Sequence, residues 1–296
     1  MHPYTGVAAA LGSTLIWAYS SVLFQRAIAR YGAFTCNMFK AFVGMNLFWL
    51  TVLVLGLNGD FGFGSVQGTW MLVISGLAGM AFGDWAYFAA IGHLGVKQAT
   101  LLHGTAPLFL LLWSLTAPVV TLSHFEIMGV VAVVLGVSLV SWRAANPGGG
   151  SRGIGICFGG LAALGQATGI LLSHQALQEC HPLSGAAVRL SGAFLGLLLV
   201  QAFRGRLKRT WRSLQESGIW KSMLFPSFIG TFIGIFFMMI AIERSPPAVS
   251  GALLATTPIF VIPFAMVMLK EKATVRAVIG TAVVVAGVAL VSFGMR

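Results

Sequence analysis

Three titratable residues, Asp84, Lys40 and His103, lie inside long apolar stretches of the chain. Each stands several residues from a predicted helix end on the same side of the protein, which gives a shared depth of roughly 9–12 Å at about 1.5 Å per residue. Of the seven acidic residues, Asp84 alone is this far from a loop or a helix end. If these stretches cross a membrane, a carboxylate there costs roughly 2.5–3.5 kcal/mol. We therefore expect Asp84 to face a bundle interior, to be paired, or to be protonated.

Three interpretations of this group stay open. Asp84 and Lys40 could form an ion pair that only fixes helix packing. Together with His103 they could instead form a site that couples protons or gates a substrate. The side chains could also point in unrelated directions.

A second candidate set is aromatic and mildly polar: Trp17, Tyr87, Gln166 and Phe237, each near the middle of a predicted span. Tyrosine and tryptophan offer flat apolar contact and a hydrogen-bond donor, which suits amphipathic small molecules. Each of the four could equally be a core or lipid-facing residue. The three cysteines have no spacing typical of a metal site or a disulfide, and we expect neither a metal nor a cofactor.

The composition indicates an integral membrane protein. Apolar residues make up 57% of the 296 residues and charged residues only 8%, and the mean hydropathy is +0.90. A water-exposed surface needs far more charge. The charges stand in short clusters between apolar runs of about 20 residues, the length of helix that crosses about 30 Å of hydrocarbon. Because a backbone inside a bilayer must pair its own polar groups, we predict an all-α integral membrane protein.

Ten transmembrane helices are predicted, five in each half. The predicted spans are Tyr4–Phe24, Phe34–Leu57, Trp70–Gly92, Gln98–Pro118, His124–Trp142, Gly153–Gln175, Pro182–Phe203, Ile219–Ile242, Pro247–Leu269 and Val275–Phe293. Glycine and proline crowd the stretch 146–152, as is typical of a linker. The predicted organisation is a first five-helix repeat over 1–145, the linker 146–152, and a second repeat over 153–296.

The halves repeat each other at a spacing of 151 residues. The matching pairs include Pro107 with Pro258, Phe109 with Phe260, Gly79 with Gly230, Gly83 with Gly234, Gly129 with Gly280, and Gly136 with Gly287. A unit with an odd number of crossings places its copy upside down, so the pattern predicts a five-plus-five inverted repeat. The positions that match Asp84, Lys40 and His103 are Ile235, Arg189 (with a two-residue gap) and Leu254. Only the first half therefore carries an acidic residue at this position. Arg189 in the second half is a further candidate for substrate binding or coupling.

The distribution of charge predicts an orientation. All but four of the 18 lysines and arginines fall in loops that follow odd-numbered predicted helices; the exceptions are Lys40, Arg189, Arg244 and Arg296. The positive-inside rule places those loops in the cytoplasm and both termini outside, in a cell inner (plasma) membrane. The net charge of +11 is thus explained by topology and by contact with anionic membrane lipids. Nucleic-acid binding is not expected, since no soluble module exists to display it.

Several motifs resemble the EamA-type drug/metabolite transporters. They are Leu15-Ile16-Trp17-Ala18, Ala106-Pro107-Leu108-Phe109, Thr257-Pro258-Ile259-Phe260, and Leu269-Lys270-Glu271 followed by Gly280 and Gly287. The resemblance implies a ten-helix carrier with a central cavity, lined by helices one, three, six and eight, that moves small metabolites or amino acids, often outward. Three departures from the family pattern are Val120, where the second half has Glu271; Ala18, where glycine is common after the tryptophan; and Gln166, where the inverted copy of Trp17 would stand.

Glycines and prolines are the other features of the repeat. The seven-spaced pairs Gly129/Gly136 and Gly280/Gly287 lie on one side of a helix, where small residues let helices approach closely. Such faces serve packing or slide during transport. Pro107 and Pro258 are predicted to kink the helices that contain them, either statically or as gates.

The sequence also bears on two other classes of function, an enzyme and a lipid-moving or structural protein. The chain has no metalloprotease, serine-hydrolase or phosphate-binding motif with a soluble domain behind it, so we do not expect an enzyme. A lipid-translocating or purely structural membrane protein is the alternative to a secondary transporter that works by alternating access, with protons as the candidate coupling ion. A closed aqueous cavity would favour a solute carrier, and a lateral cleft open to lipid would favour lipid translocation.

Overall fold

The computed structural model describes residues 4–57, 64–116, 123–141, 151–269 and 275–294, which form helices and turns without any strand. In chain order the helices are α1 (Thr5–Tyr31), α2 (Ala33–Val54), α3 (Val66–Leu94), α4 (Val96–His103 and Ala106–Thr116), α5 (His124–Ser141), α6 (Arg152–Ala176), α7 (Pro182–Phe203), α8 (Leu207–Gln215), α9 (Ser217–Arg244), α10 (Pro247–Leu254 and Thr257–Leu269) and α11 (Val275–Gly294). The predicted linker lies largely outside the described residues.

Seven helices in the described ranges are long and apolar enough to cross a membrane: α1, α2, α3, α6, α7, α9 and α10. Shorter apolar helices lie at His124–Gly136 in α5 and Ile279–Val291 in α11. The chain is therefore a multi-pass, all-helical membrane protein.

The basic ends of the first helices differ from the prediction. The predicted loop after Phe24 is helical, and α1 continues to Tyr31 with only Gly32 before α2. Gly32 and Gly95, which separates α3 from α4, share a φ of +81° and an extended ψ, a conformation that glycine adopts without strain. Charged residues near a helix end mark where the chain leaves the hydrocarbon. The helix itself can continue, because long basic side chains extend away from its axis.

The helix α8 was not predicted. Its sequence, Leu207–Gln215, is short and strongly basic, and Trp211 on it is exposed. Gln201, at the end of α7, donates a hydrogen bond from Nε2 to Thr210 Oγ1 at 2.7 Å and so ties α8 to the bundle. A nine-residue amphipathic helix has no apolar run long enough to stand out in a search for spans.

The prolines of the repeat lie at helix breaks instead of bending continuous helices. The α4 helix is interrupted at Gly104 and Thr105, directly before Pro107. The α10 helix is interrupted at the equivalent places, directly before Pro258. In each case proline is second in the following segment, where its missing N–H leaves no bond unmade.

At each break a threonine side chain donates a hydrogen bond to a carbonyl of the preceding turn. Thr105 Oγ1 donates to Leu102 O at 2.7 Å, and Thr256 Oγ1 donates to Leu253 O at the same distance. The two threonines are 151 residues apart. The repeat detected in the sequence is therefore present in local backbone structure.

Each half also contains a π-helical segment, Gly76–Gly83 in α3 and Phe228–Ile233 in α9. These segments overlap when the halves are aligned at the 151-residue spacing. A π-helix skips a normal backbone bond, so carbonyl groups become available to side chains. The first segment contains Gly79 and Gly83, and the second contains Gly230. Both segments lie next to the cavity described below.

The helices α5 and α11 pack tightly along their glycines. A Cβ on Gly129 would lie 2.7 Å from Gly287 O, and a Cβ on Gly136 would lie 2.7 Å from Gly280 O. Real Cβ atoms do not come this close to backbone, so only glycine allows the contact. The prediction that these seven-spaced pairs are packing faces is confirmed.

We expect Gly129→Ala to destabilise the protein by about 1–3 kcal/mol, because the new methyl group overlaps the backbone of α11. The measurement is thermal unfolding of the purified protein in detergent. Gly160→Ala is the matched control, since a Cβ at Gly160 meets nothing within 4 Å, and its melting temperature should stay the same or rise. Equal melting of the two variants would show that the α5–α11 contact does not limit stability.

Candidate functional site

A polar cavity lies between the two halves of the chain. The cavity has a volume of about 70 Å³, which is room for roughly five water molecules at about 10–15 Å³ each. Its wall is formed by residues of α1, α2, α3, α4, α6, α9 and α10, so both halves contribute. The lining residues are Trp17, Ser20, Ser21, Phe24, Lys40, Met80, Asp84, Tyr87, Phe88, Thr100, His103, Gln166, Gly230, Thr231, Ile235, Met238 and Thr257.

The strongest electrostatic feature of the wall is an ion pair between Lys40 Nζ and Asp84 Oδ2. The side chains are only 10% and 18% exposed, respectively. Lys40 Nζ also lies 5.3 Å from the centre of the Phe88 ring. The pair has little water to screen it, so removal of either partner would leave a charge that is expensive to bury.

A group of hydroxyl side chains from α1, α3 and α4 lies in the same wall as the ion pair. The Tyr87 hydroxyl lies 2.9 Å from Thr100 Oγ1 and 3.4 Å from Ser21 Oγ. The ring of Tyr87 is 4.9 Å from that of His103, centre to centre. His103 Nε2 is buried without a hydrogen-bond partner among the described residues. The first half thus places a carboxylate, an ammonium group, a phenol and an imidazole around one small space.

The opposite wall comes from the contact between α1 and α9. Trp17 Nε1 donates a 2.9 Å hydrogen bond to Gly230 O, a carbonyl of the π-helical segment. Ser13 Oγ donates to Gly234 O at 2.9 Å, one turn further on. Thr231 Oγ1 is buried and has no partner within the described part of the chain. This wall holds a free hydroxyl group but no charge.

Arg189 lies behind the cavity, where α7 meets α3 and α6. It is fully buried, and its Nε and Nη1 atoms have no hydrogen-bond partner in the described ranges. The guanidinium fits against two glycines: a Cβ on Gly169 would lie 2.9 Å from Arg189 Nη2, and one on Gly79 would lie 3.1 Å from it. The interior around the cavity therefore contains two cationic side chains, Lys40 and Arg189, and one described carboxylate.

The structure brings six of the eight sequence-predicted candidates to the cavity: Asp84, Lys40, His103, Trp17, Tyr87 and Gln166. Arg189 does not line the cavity, since its guanidinium lies against Gly79 and Gly169. Phe237 is also outside the lining and packs on α1, where its ring atoms are 3.8–3.9 Å from a Cβ built on Gly12. Both residues have the expected depth, but depth along a helix does not fix the direction of a side chain.

The small hydroxyl residues of the site were not predicted. Ser21, Thr100 and Thr231 are each nearly inaccessible, at 6%, 2% and 1% exposure. Serine and threonine occur throughout membrane helices, because they can bond the carbonyl of the preceding turn. The only signal in the sequence is that Ser21, four residues after Trp17, lies on the same face of α1. Thr100 and Thr231 lie on other helices and carry no such signal.

The donor set does not resemble a metal site. No group of three or more His, Cys, Asp or Glu residues within reach of one ion occurs in the described ranges. The groups that do meet here, a paired carboxylate, an ammonium group, an imidazole and hydroxyls, are suited to hydrogen bonding and to proton binding.

The comparisons with known proteins identify the family, a relative and a shared fold. The model of the EamA-like transporter family matches residues 4–142 and again 153–293. An uncharacterised transporter of Archaeoglobus fulgidus is 25% identical over 285 residues, which cover 95% of each chain. A solved crystal structure shares the fold with a TM-score of 0.72 at 16% identity, over 96% of this chain and 94% of its own. Two matched repeats that span nearly the whole sequence show that this chain belongs to the EamA-like transporter family, within the drug/metabolite transporter superfamily.

Proposed function

We propose that this protein is a secondary transporter that exports a small metabolite or amino acid by alternating access. The observation that carries the proposal is the polar cavity, because both family repeats contribute to its wall and it contains the Lys40–Asp84 pair. Ionisable groups inside a membrane bundle are expensive and commonly mark a solute or proton path. Outward direction rests on the resemblance to exporters alone.

The proposed architecture is ten transmembrane helices in two inverted five-helix halves. Supporting observations are the paired helix breaks in α4 and α10 and the paired π-helical segments in α3 and α9. Such equivalent irregularities let one half rock against the other around a site at the interface. The breaks give each half a backbone position where small rotations cost few hydrogen bonds.

The cavity restricts the class of solute. Space for only a few waters suits a molecule of amino-acid size, and the aromatic wall accepts an apolar portion. Lys40 and Asp84 balance each other, but Arg189 behind the wall adds a buried positive charge, whose field in the cavity favours a solute carboxylate. We therefore infer that the substrate carries a carboxylate.

The alternative is a lipid-translocating or structural membrane protein. It would need a path from the cavity to the hydrocarbon, wide enough for a headgroup. The cavity has walls from seven helices and is small, which favours a solute. A structural role gives no reason to retain a buried charged pair, since an apolar pair of similar volume is often as stable or more so.

The function is tested by uptake into proteoliposomes, with and without a proton gradient. We expect uptake of one or more small carboxylates and much weaker uptake of the corresponding amides, because an amide does not neutralise the cationic surplus. Vesicles without protein give the background. Uptake of amides equal to that of the acids would contradict the inferred substrate class, and scrambling of labelled lipids without any solute uptake would favour the alternative function.

Asp84→Asn tests whether the buried carboxylate carries the coupling proton. If it does, gradient-driven accumulation should be lost while solute exchange remains, since asparagine keeps the shape but cannot take up or release a proton. If Asp84 only forms an ion pair, the variant leaves Lys40 alone and should lose roughly 3–5 kcal/mol of stability. Transport and melting temperature are measured on the same preparations.

The double variant Asp84→Asn with Lys40→Met is the control for that experiment. It removes both charges, so a stability loss caused by the stranded ammonium group should be reversed. A stable single variant with normal uphill transport would contradict both roles of Asp84.

The proposed orientation in the inner membrane places the basic loops in the cytoplasm and both termini outside. A fluorescent protein that matures only in the cytoplasm should therefore fluoresce when fused after Glu216, between α8 and α9. The same reporter fused to Arg296 should stay dark, and alkaline phosphatase at both sites should give the opposite pattern. Fluorescence at Arg296 alone would reverse the orientation and leave the fold unaffected.

A further inference from the structure

An apolar groove runs along the outside of the bundle between α3 and α7. Its walls are Leu77, Ala81, Phe82 and Trp85 from α3 and Gly196, Leu197 and Val200 from α7, with Phe34 and Arg204 at one end. On α3 the groove follows the stretch from Leu77 to Trp85, about two turns of helix. Leu77, Phe82 and Val200 are 38–42% exposed, so in a membrane this surface meets lipid chains.

Glycine at position 196 keeps the two walls close together. A Cβ built on Gly196 would lie 2.3 Å from Leu77 Cδ2, so any larger residue would push that side chain aside. The groove is thus a shaped surface of the folded bundle, and it holds about 260 Å³.

A polar pocket adjoins the end of the groove where α7 gives way to α8. It is lined by Phe34, Thr35, Gln201, Arg204, Arg206, Thr210 and Ser213. Gln201 and Thr210 are at least nine-tenths buried and bonded to each other. This bond fixes the pocket floor, while the two arginines are exposed above it.

The charge of this pocket is not balanced by its own lining. Neither the pocket nor the groove is lined by an aspartate or a glutamate. Two guanidinium groups beside hydroxyl groups match the oxygen atoms of a phosphate group, to which arginine can donate two hydrogen bonds at once. The groove and the pocket share Phe34 and Arg204, so they form one continuous surface with an apolar and a cationic portion.

We propose that this surface is a specific binding site for one anionic phospholipid. The phosphate lies between Arg204 and Arg206, and an acyl chain occupies the groove between α3 and α7. The pocket lies at the junction of α7 and α8. Because α8 is amphipathic and basic, and such helices lie at the level of the lipid headgroups, this junction is also at that level. A free phosphate-bearing solute shares the headgroup chemistry but would leave the groove unfilled.

The site is separate from the transport cavity, although it touches the same helix. Phe82 and Trp85 flank Asp84 in the sequence but face the outside of α3, whereas Asp84 faces the cavity. Binding can therefore be measured without knowing the solute, and its failure would leave the proposed transport function untouched.

The test counts bound lipids by native mass spectrometry of the purified full chain. Dioleoylphosphatidylglycerol is the anionic lipid and dioleoylphosphatidylcholine is the zwitterionic control. We expect one phosphatidylglycerol to bind in clear preference. The variant Arg204→Gln with Arg206→Gln should weaken it about 25-fold, because each arginine near an anionic headgroup contributes about a factor of five.

Two matched pairs of variants, one that removes charge and one that fills the groove, distinguish a specific site from general electrostatic attraction. Lys208→Gln with Arg212→Gln removes the same charge from the same helix region but lies outside the pocket, so binding should be preserved. Val200→Trp fills the groove and should weaken phosphatidylglycerol binding, while Leu199→Trp, on the neighbouring exposed position, should not.

Three results would overturn the proposal. The first is equal binding of the two lipids. The second is an equal loss of phosphatidylglycerol binding in the Arg204/Arg206 double variant and in the Lys208/Arg212 double variant. The third is stabilisation against heat by glycerol phosphate that matches stabilisation by the whole lipid, which would assign the pocket to a soluble anion.

Discussion

The need to pair backbone polar groups in hydrocarbon governs this structure. A regular helix meets that need by itself, but the π-helical segments of α3 and α9 leave carbonyl groups without their usual partners. Side chains from neighbouring helices take these positions. Asn37 Nδ2 on α2 donates to the carbonyls of Met80 and Ala81 at 3.0 and 3.1 Å, and Trp17 donates to that of Gly230. The irregular segments are thereby held against α1 and α2, and the cavity lies in the space between them.

The same constraint explains why so few residues of the site are charged. A charge in the interior is costly unless it is offset nearby, and Lys40 and Asp84 offset each other. Arg189 has no such partner in the described ranges, although the two glycines beside it provide the room it needs. An uncompensated guanidinium is costly unless a mobile anion visits the interior during the working cycle. The unpaired charge of Arg189 and the small volume of the cavity therefore both support a small solute that carries a carboxylate.

How far the sequence predicts this arrangement depends on the type of information. The duplication, the apolar runs and the contact between the glycines of α5 and α11 follow from spacing, because spacing along a helix determines which residues share a face. The meeting of Asp84, Lys40 and His103 was correctly among the predicted possibilities, since equal depth and strong electrostatics favour it. Phe237 lies outside the lining of this cavity and packs against α1, because the direction of an aromatic side chain depends on how two helices cross. The π-helical segments and α8 escaped prediction because no residue pattern distinguishes them from ordinary helix or loop.

The two halves have diverged in how they meet the same backbone demand, and this divergence creates the polarity of the cavity. At the crossing of α3 and α6, the backbones of Gly165 and Gly83 are in near contact, with a Cβ on Gly165 only 2.9 Å from Gly83 Cα. At the equivalent crossing of α1 and α9, the indole ring of Trp17 fills the space and bonds to the π-helical carbonyl. Ile235 stands in the cavity wall at the position that matches Asp84. The charged and aromatic residues of the cavity wall therefore come from the first half, and the second half presents an uncharged surface that includes Ile235 and Met238. A solute with a carboxylate at one end and an apolar group at the other would meet complementary surfaces from both halves.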